Sequence, residues 1–407
     1  RRDLNVEALQ QALPPFSLDL AASGRGILGQ FLHASGMNVD SIHASFSNDS
    51  LLRGSALAMR LNTGSMMLDT LSLALQERGR LIDYRAHLGN RKGNLPELAS
   101  VDINGYFGSN RLLASVTQRN AAGLTGYRLG VTAALLDSAV NLHFTPLKAI
   151  IAYKQWNINL DNHVQYDFNG HIDANLEARS NESSIGLKTS VSQLGYDQLH
   201  LALQNIHIED FLNLSVFAPP LTATVNSDLT IGYTATGFQG GGRLSLSDFT
   251  YDRVRVGDIG LDLTAGLENS GETSARVAMD VDGKPAALFS TLLVPDSVSR
   301  KLTPKEFDLS LTHFPLSIAN PFLGRDVASL SGGISGALDL SGSFTEPVLN
   351  GSLVCDSVGV LIPMAGTRLR FDHEPLTVTN NVLAFNNYDI WAVNSNPITI
   401  NGSVDAS

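Results

Sequence analysis

Two stretches of the chain, opening at Leu221 and at Leu330, carry one apolar pattern twice at a constant offset of 109 residues. Leu221, Val225, Leu229 and Ile231 correspond to Leu330, Ile334, Leu338 and Leu340. Gly242, Leu244, Leu246, Phe249 and Tyr251 correspond to Gly351, Leu353, Cys355, Val358 and Val360. Just upstream, Leu201, Leu203, Ile206 and Ile208 match Leu309, Leu311, Phe314 and Leu316 at an offset of 108, so the connection between has gained one residue. Glycines and a connecting segment that move together with the strands mark a duplicated structural unit. Such units pack on their neighbours in a quasi-one-dimensional array. That architecture removes the limit that 407 residues would place on a single core.

Inside the repeats the apolar period is two. Val225, Ser227, Leu229 and Ile231 alternate, as do Leu244 and Leu246. Val254 and Val256 are followed by Ile259, Leu261 and Leu263, with a phase slip at Gly257-Asp258 that predicts a bulge or tight turn. Earlier in the chain Leu57, Met59 and Leu61 alternate, and so do Leu71, Leu73 and Leu75. Such segments are half-buried strands with one apolar and one polar face. Turns are expected at Ser23-Gly24, Asp282-Gly283, Ser341-Gly342, Asn350-Gly351 and Asn401-Gly402. Helical spacing is scarce. It occurs over Val6–Leu13 before Pro14-Pro15, at Ile27, Leu28, Phe31 and Leu32 before Gly36, and at Ile208, Phe211 and Leu212. The expected fold is all-β: an elongated, curled β-sheet groove with a few short helices. Its segments are 1–145, a connecting stretch 146–196, and repeat units 197–304 and 305–407.

Composition narrows the partners. Charged residues are 16% of the chain and hydrophobic ones 43%, leaving Ser, Thr and Asn to solvate the outer face. Twenty-eight Lys and Arg against 39 Asp and Glu give a net charge of −11. An acidic chain with no basic run has no electrostatic footprint for nucleic acid, nor for docking on an anionic lipid surface. Contact with lipid must then be apolar. The single cysteine, Cys355, excludes a disulfide framework. No apolar run approaches the roughly 20 residues of a membrane helix. The opening Arg1-Arg2-Asp3 reads as an interior cut rather than a signal peptide, so any anchor is expected outside this stretch.

Chemical motifs are weak. Gly24, Gly26 and Gly29 match G-x-G-x-x-G, and Asp49 lies near the distance of a ribose-binding acid. The segments that follow lack the alternating helices of a parallel βαβ unit, so a turn into a short helix is the plainer reading. Asp280 and Asp282-Gly283 begin like a calcium loop, but Lys284 and Pro285 follow, and a hairpin turn is expected instead. The histidines are scattered; His163 and His171, eight apart, read as exposed strand residues rather than ligands. There is no nucleophile elbow and no P-loop. No cofactor or metal is expected. Cys355 stands where its repeat equivalent is Leu246, which makes it a small core residue. Trp156 and Trp391 fit either packing or a lining role.

The C-terminal repeat reads Gly336-Ala-Leu-Asp-Leu-Ser-Gly342, then Pro347, Gly351-Ser-Leu353, Val358-Gly-Val-Leu-Ile-Pro363 and Leu383-Ala-Phe385-Asn. This cadence resembles the C-terminal regions of TamB proteins, members of the AsmA-like superfamily. The likeness is clearest over 305–407 and weaker over 146–304, where Ile151-Ala-Tyr-Lys-Gln-Trp156 takes part; residues 1–145 match only in style. It implies an inner-membrane anchor on the full protein, a Gram-negative periplasmic setting, and work in phospholipid transport or outer-membrane protein assembly. The implied partners are phospholipid acyl chains and an outer-membrane barrel protein of the TamA type.

A one-sided apolar sheet must cover that face, close on itself, or leave a groove. An acyl chain of 16 carbons in water costs about 13 kcal/mol at about 0.8 kcal/mol per CH₂. An apolar trough offsets most of that and needs no catalytic residue, so the chain is not expected to be an enzyme. The candidate lining is Leu229, Ile231, Leu244, Leu246, Leu261, Leu263, Leu309, Leu311, Leu338, Leu340, Leu353, Val358, Val360 and Phe385. The same residues would serve as the core of ordinary sandwiches. Two other functions compete: a β-solenoid adhesion or scaffold module with a filled core, and a carbohydrate-active β-helix enzyme. The enzyme needs clustered carboxylates on one sheet face, and none recur at regular spacing.

Overall fold

The computed structural model describes residues 15–49, 51–62, 67–90, 98–192, 197–211, 220–233, 238–268, 272–295, 302–323, 327–342, 347–392 and 396–405. They form an all-β chain of 26 strands with a few short helices, and every strand pairing of known register is antiparallel. Two compact units divide it: residues 1–182 with 186–188, and residues 183–185 with 189–407.

The first unit opens with β1 (Ser17–Ser23), helix α1 (Ile27–Ala34), β2 (Ser41–Ser47), β3 (Arg53–Asn62) and β4 (Met67–Arg78). It continues with β5 (Leu81–Gly89), β6 (Ser100–Gly108), β7 (Arg111–Arg119), β8 (Thr125–Leu135) and β9 (Ala139–Ile151). Three shorter strands follow, β10 (Lys154–Ile158), β11 (His163–Asp167) and β12 (Ile172–Ser180), and β13 (Ser183–Val191) holds the border.

The second unit has β14 (Asp197–His207), helix α2 (Ile208–Phe211), β15 (Leu221–Tyr233), β16 (Phe238–Tyr251) and β17 (Val254–Leu267). Next come β18 (Thr273–Val281), β19 (Lys284–Pro295), β20 (Leu302–Pro315), a 3₁₀ turn over Leu316–Ala319 and α3 (Asn320–Leu323). The unit ends with β21 (Ser329–Gly342), β22 (Pro347–Ile362), β23 (Thr367–Phe371), β24 (Leu376–Thr379), β25 (Val382–Ala392) and β26 (Ile398–Asp405).

From β1 to β9 each strand pairs with the next, so residues of one face line up in rows across the strands. Leu20, Ala44, Ala56, Leu73, Ala86, Ile103, Val116 and Leu129 form one such row. Beside it run Leu18, Phe46, Gly54, Leu75, Tyr84, Gly105, Ala114, Val131 and Phe144. The row between them is polar, with Asp19, Ser45, Ser55, Arg85, Asn104 and Ser115, and points the other way. Leu57 and Met59 pair with Ser72 and Thr70, so their alternation lies on the polar side, opposite Leu71 and Leu73. Periodicity finds such a stripe but not which face it takes.

The repeat predicted from sequence recurs in the backbone. The ladder slips at Leu203/Ile206 and again at Leu311/Phe314, offset by 108. It slips at Thr222/Thr224 and again at Ser331/Gly333, offset by 109. Bulge residues with positive φ match in pairs: Asn205 (48°) with His313 (47°), and Asp248 (54°) with Ser357 (54°). The slip expected at Gly257-Asp258 is present as a bulge opposite Asp248. Helix α2 and the turn starting at Leu316 occupy equivalent places after β14 and β20.

Two turn expectations are corrected. Asn350-Gly351 and Asn401-Gly402 lie inside β22 and β26, with Gly351 at φ 145° and Gly402 at 155°. The asparagines serve neighbouring strands: Asn350 Oδ1 accepts the Asn380 amide at 2.9 Å, and Asn401 Oδ1 accepts the Asn387 amide at 2.8 Å. An Asn-Gly pair that relieves a ladder irregularity has the same composition as one that turns the chain. Asp282-Gly283 is a hairpin turn as expected, with φ of 49° and 73°. Helix α1 bears out the spacing of Ile27, Leu28, Phe31 and Leu32, and Gly36 ends it at φ 75°. The helix expected over Val6–Leu13, and Leu212, lie outside the described residues.

Candidate functional site

The second unit presents one apolar face built from parallel transverse rows. The central row is Leu201, Leu229, Gly242, Leu263, Val277, Phe289, Leu309, Leu338, Gly351, Val378, Leu383 and Val404. Two residues along each strand runs a second: Leu203, Ser227, Leu244, Leu261, Met279, Ala287, Leu311, Gly336, Leu353 and Leu376. On the other flank stand Leu199, Ile231, Gly240, Ala265, Ala275, Thr291, Phe307, Leu340 and Leu349. Leu246 follows in a fourth row with Val225 and Ile259. Val358 and Val360 continue the face beyond the bulge at Ser357, and Phe385 follows Leu383 on it.

All fourteen residues proposed from sequence therefore share this face. Among them Leu338 and Val358 are buried, Ile231 is 42% exposed, and the other eleven are half-buried. A closed sandwich core would bury most of them. The candidate lining read from sequence left out Val277 and Phe289, and also Leu201 and Leu203, which complete the rows, and it included no residue of the first unit. The signal was present in alternations such as Val277–Met279, but Ala and Gly dilute it in the first unit.

A hollow of about 240 Å³ opens on this face. Its walls are Leu229, Ile231, Leu263 and Val277, and its floor is Gly240, Ala265 and Ala275. Thr230, Gly241, Thr264 and Arg276 also border it; they occupy the alternate positions, so they contribute main chain while their side chains belong to the other face. The main-chain groups are engaged in the ladders, which leaves a surface of methyl and methylene groups.

The face closes toward the C-terminal strands. Cys355, Val358, Leu376, Tyr388 and Ile390 form a buried cluster, with Leu316, Ile334, Leu369, Phe371 and Phe385 packed against it. Tyr388 is 1% exposed and its hydroxyl donates to the Asp372 carbonyl at 2.5 Å. Burial pushes the Tyr388 phenol up from the ordinary tyrosine range, and it likewise pushes the Cys355 thiol up. A buried thiol in apolar surroundings is a packing group rather than a nucleophile.

The opposite face is polar and cross-braced. Arg243 bonds Asp280 at 2.6 Å and also Asp262, and these two carboxylates, Asp280 foremost, raise the guanidinium above its ordinary value. The Asp258 amide (2.9 Å), and then Arg255 (3.0 Å), hold Asp282 below the usual carboxylate range. Asp282 therefore sits in the expected hairpin turn and accepts from the neighbouring strand's Asp258 amide. Gly24, Gly26 and Gly29 form a turn into α1; a β-carbon on Gly29 would meet the Gly24 carbonyl oxygen at 2.1 Å. Because β1 runs antiparallel to β2, the dinucleotide reading has no parallel βαβ frame. His163 contacts Asp173 at 3.3 Å, and His171 lies beside a turn that ends at Gly170. Trp156 is buried at 2% exposure, and Trp391 carries the Arg370 guanidinium 5.0 Å above its ring.

Among the described residues no group of three or more His, Cys, Asp or Glu side chains is placed to hold a metal ion, and no helix is long and apolar enough to cross a membrane. No family model, curated protein or solved structure matches the chain.

Proposed function

We propose that the apolar face of the second unit seats lipid acyl chains. The observation that carries this reading is the hollow between Leu229, Ile231, Leu263 and Val277, with its floor of Gly240, Ala265 and Ala275. A peptide or sugar laid there would lose water from its polar groups and gain no partner. An alkyl chain has nothing to lose, and each buried CH₂ gains about 0.8 kcal/mol. The half-buried rows on either side extend the same surface across the strands. The headgroup stays in solvent, so no catalytic group is required. The likeness of the C-terminal repeat to TamB proteins supplies the setting: a periplasmic groove that moves phospholipids between the inner and outer membranes of a Gram-negative cell, or supports outer-membrane protein assembly with a barrel partner.

One observation favours a second reading. The cluster around Cys355 and Tyr388 fills the face at the C-terminal strands, as a scaffold module with a closed core would require. A photo-crosslinking amino acid at Leu263 or Leu340, with Ser352 on the polar face as control, separates the two. Protein expressed in the bacterial envelope is irradiated, extracted and analysed by mass spectrometry. Phospholipid adducts at the two inward sites and none at Ser352 are expected. Folded protein with no adduct at either inward site would sink the acyl-chain reading and leave the scaffold.

A further inference from the structure

One end of the strands of the first unit carries an exposed apolar patch. The turn at Ser109-Asn110, the turn 136–138 and the loop 168–171 meet at this end, because Gly108 pairs with Arg111, Leu135 with Val140, and Asp167 with Ala139. Leu135, Leu136, Tyr166 and Phe168 stand here, from 41% to 54% exposed. Register makes them neighbours. Val140 pairs with Leu135 on one side and with Tyr166 on the other, and the Phe168 amide donates to the Ser138 carbonyl at 2.8 Å. Beside them opens a second hollow, of about 270 Å³, lined by Phe107, Leu112, Ala133, Leu135 and Val140, with Gly108, Asn110 and Arg111 at the turn.

The polar groups interleaved with the patch decide what covers it. Asp137 follows Leu136, and Asp167, which accepts Gln165 Nε2 at 2.9 Å, precedes Phe168. A folded protein pressed onto these tips would strip water from both carboxylates, a cost that the tips alone do not offset. In the headgroup layer of a bilayer the carboxylates stay hydrated while the side chains beside them reach the acyl boundary. Tyr166, an apolar ring with a polar tip, has the form that settles at that level. Charge agrees. Up to Lys188 the chain has 17 Lys and Arg against 16 Asp and Glu, and from Thr189 onward it has 11 against 23; Ser183–Ile185, which belong to the second unit, carry no charge. The first unit can therefore approach lipid phosphates without net repulsion, which the second unit's excess of carboxylates opposes.

We propose that this end of the first unit docks on a zwitterionic lipid bilayer, with Leu136 and Phe168 inserted as tips and the hollow behind Leu135 taking the end of an acyl chain. The occupant of the hollow rests on the acyl-chain reading of the second unit's face; the docking of the tips does not. Phe107, Leu112 and Ala133 share one row across the sheet, so a chain end passing Leu135 meets apolar side chains in line. Asp137 and Asp167 then lie among the headgroups, so anionic lipid weakens the docking instead of driving it.

Flotation of the full chain with phosphatidylcholine vesicles tests this. The unmodified chain is expected to float, and less of it once phosphatidylglycerol is mixed in. Leu136→Ser combined with Phe168→Ser should lower the vesicle-bound fraction about ten-fold. Leu124→Ser, at an exposed leucine before Thr125 on the opposite end of the strands, should not. Phe168→Trp keeps the tip apolar and should add fluorescence that brominated acyl chains quench. A photo-crosslinker at Leu112 should capture lipid from the same vesicles; docking without capture overturns the hollow's part. An unmodified chain that stays in solution, a tip variant that floats as well as the parent, or stronger flotation on the anionic vesicles overturns the docking. So does a lipid-free dimer that the tip variant abolishes, which would give the patch to a second copy of the chain. The share of fatty-acid binding that Ala275→Leu removes, measured without vesicles, reports the second unit's hollow separately. If that share persists while flotation fails, the docking falls and the acyl-chain reading stands; if it is absent while flotation depends on the tips, the reverse holds.

Discussion

Gly242 and Gly351 occupy equivalent points of the two repeats, at φ of 141° and 145°. A β-carbon would meet the Asp228 carbonyl oxygen at 1.9 Å in one and the Ala337 carbonyl oxygen at 2.1 Å in the other. Asp228 and Ala337 are themselves 109 residues apart. The close approach is thus a duplicated feature, and it falls in the middle of the central apolar row. Gly242→Ala and Gly351→Ala are each expected to lower stability by about 1–3 kcal/mol, the cost of holding an ordinary residue in a glycine-only conformation. Gly266 has open space around it and no positive φ. Gly266→Ala should stay within about 0.5 kcal/mol of the parent. Urea unfolding of the three variants checks the contrast; equal losses at all three would mean that the sheet relaxes around an added methyl.

At the scale of strands, the bulges are the elements that let long hairpins change phase without losing a face. Asn226 and Ser335 hold the first pair of them by accepting a stranded amide. Asn226→Ala and Ser335→Ala should each cost about 1 kcal/mol, with the loss of protection confined to the bulge amide and its neighbours. Protection that falls evenly over the unit instead would place the effect in global stability. This is also where sequence legibility ends. The alternation of Leu229 with Ile231, or Leu261 with Leu263, was readable because a half-buried strand must alternate. The turn at Asp282-Gly283 was readable because both residues need positive φ. Asn350-Gly351 was misread because the same two residues satisfy a ladder from inside a strand. The side taken by Leu57 and Met59 was not readable at all: register against Ser72 and Thr70 decides it, and register is a property of two strands. Cys355 was placed in the core correctly because its repeat partner is Leu246.

At the scale of the whole second unit, the apolar face is uneven. Small residues of β16, β17 and β18 make the hollow, and large ones of β22 to β25 fill the end. Ala275→Leu puts a branched side chain on the hollow's floor without disturbing a glycine. It should leave thermal stability nearly unchanged and reduce binding of a fluorescent fatty acid at least several-fold, whereas Ser352→Leu on the polar face should not. Unchanged binding in Ala275→Leu would move the acyl seat elsewhere on the rows. The lining was legible as a set of residues. Its depth was not, because depth depends on which small residues of three strands stand side by side.

The repeat steps forward by six strands, from β15 to its counterpart β21. That number is even, so a duplicated block returns the chain to the same direction and the same face. Each strand needs only the two beside it. At about 4.8 Å per strand, one block advances the sheet by roughly 29 Å. A gene that copies this block in frame therefore lengthens its product by a fixed step and keeps every row aligned, while copying five strands or seven would reverse the chain and misdirect the join. The length of such a sheet is inherited as a whole number of blocks, and selection can adjust it without redesigning a core.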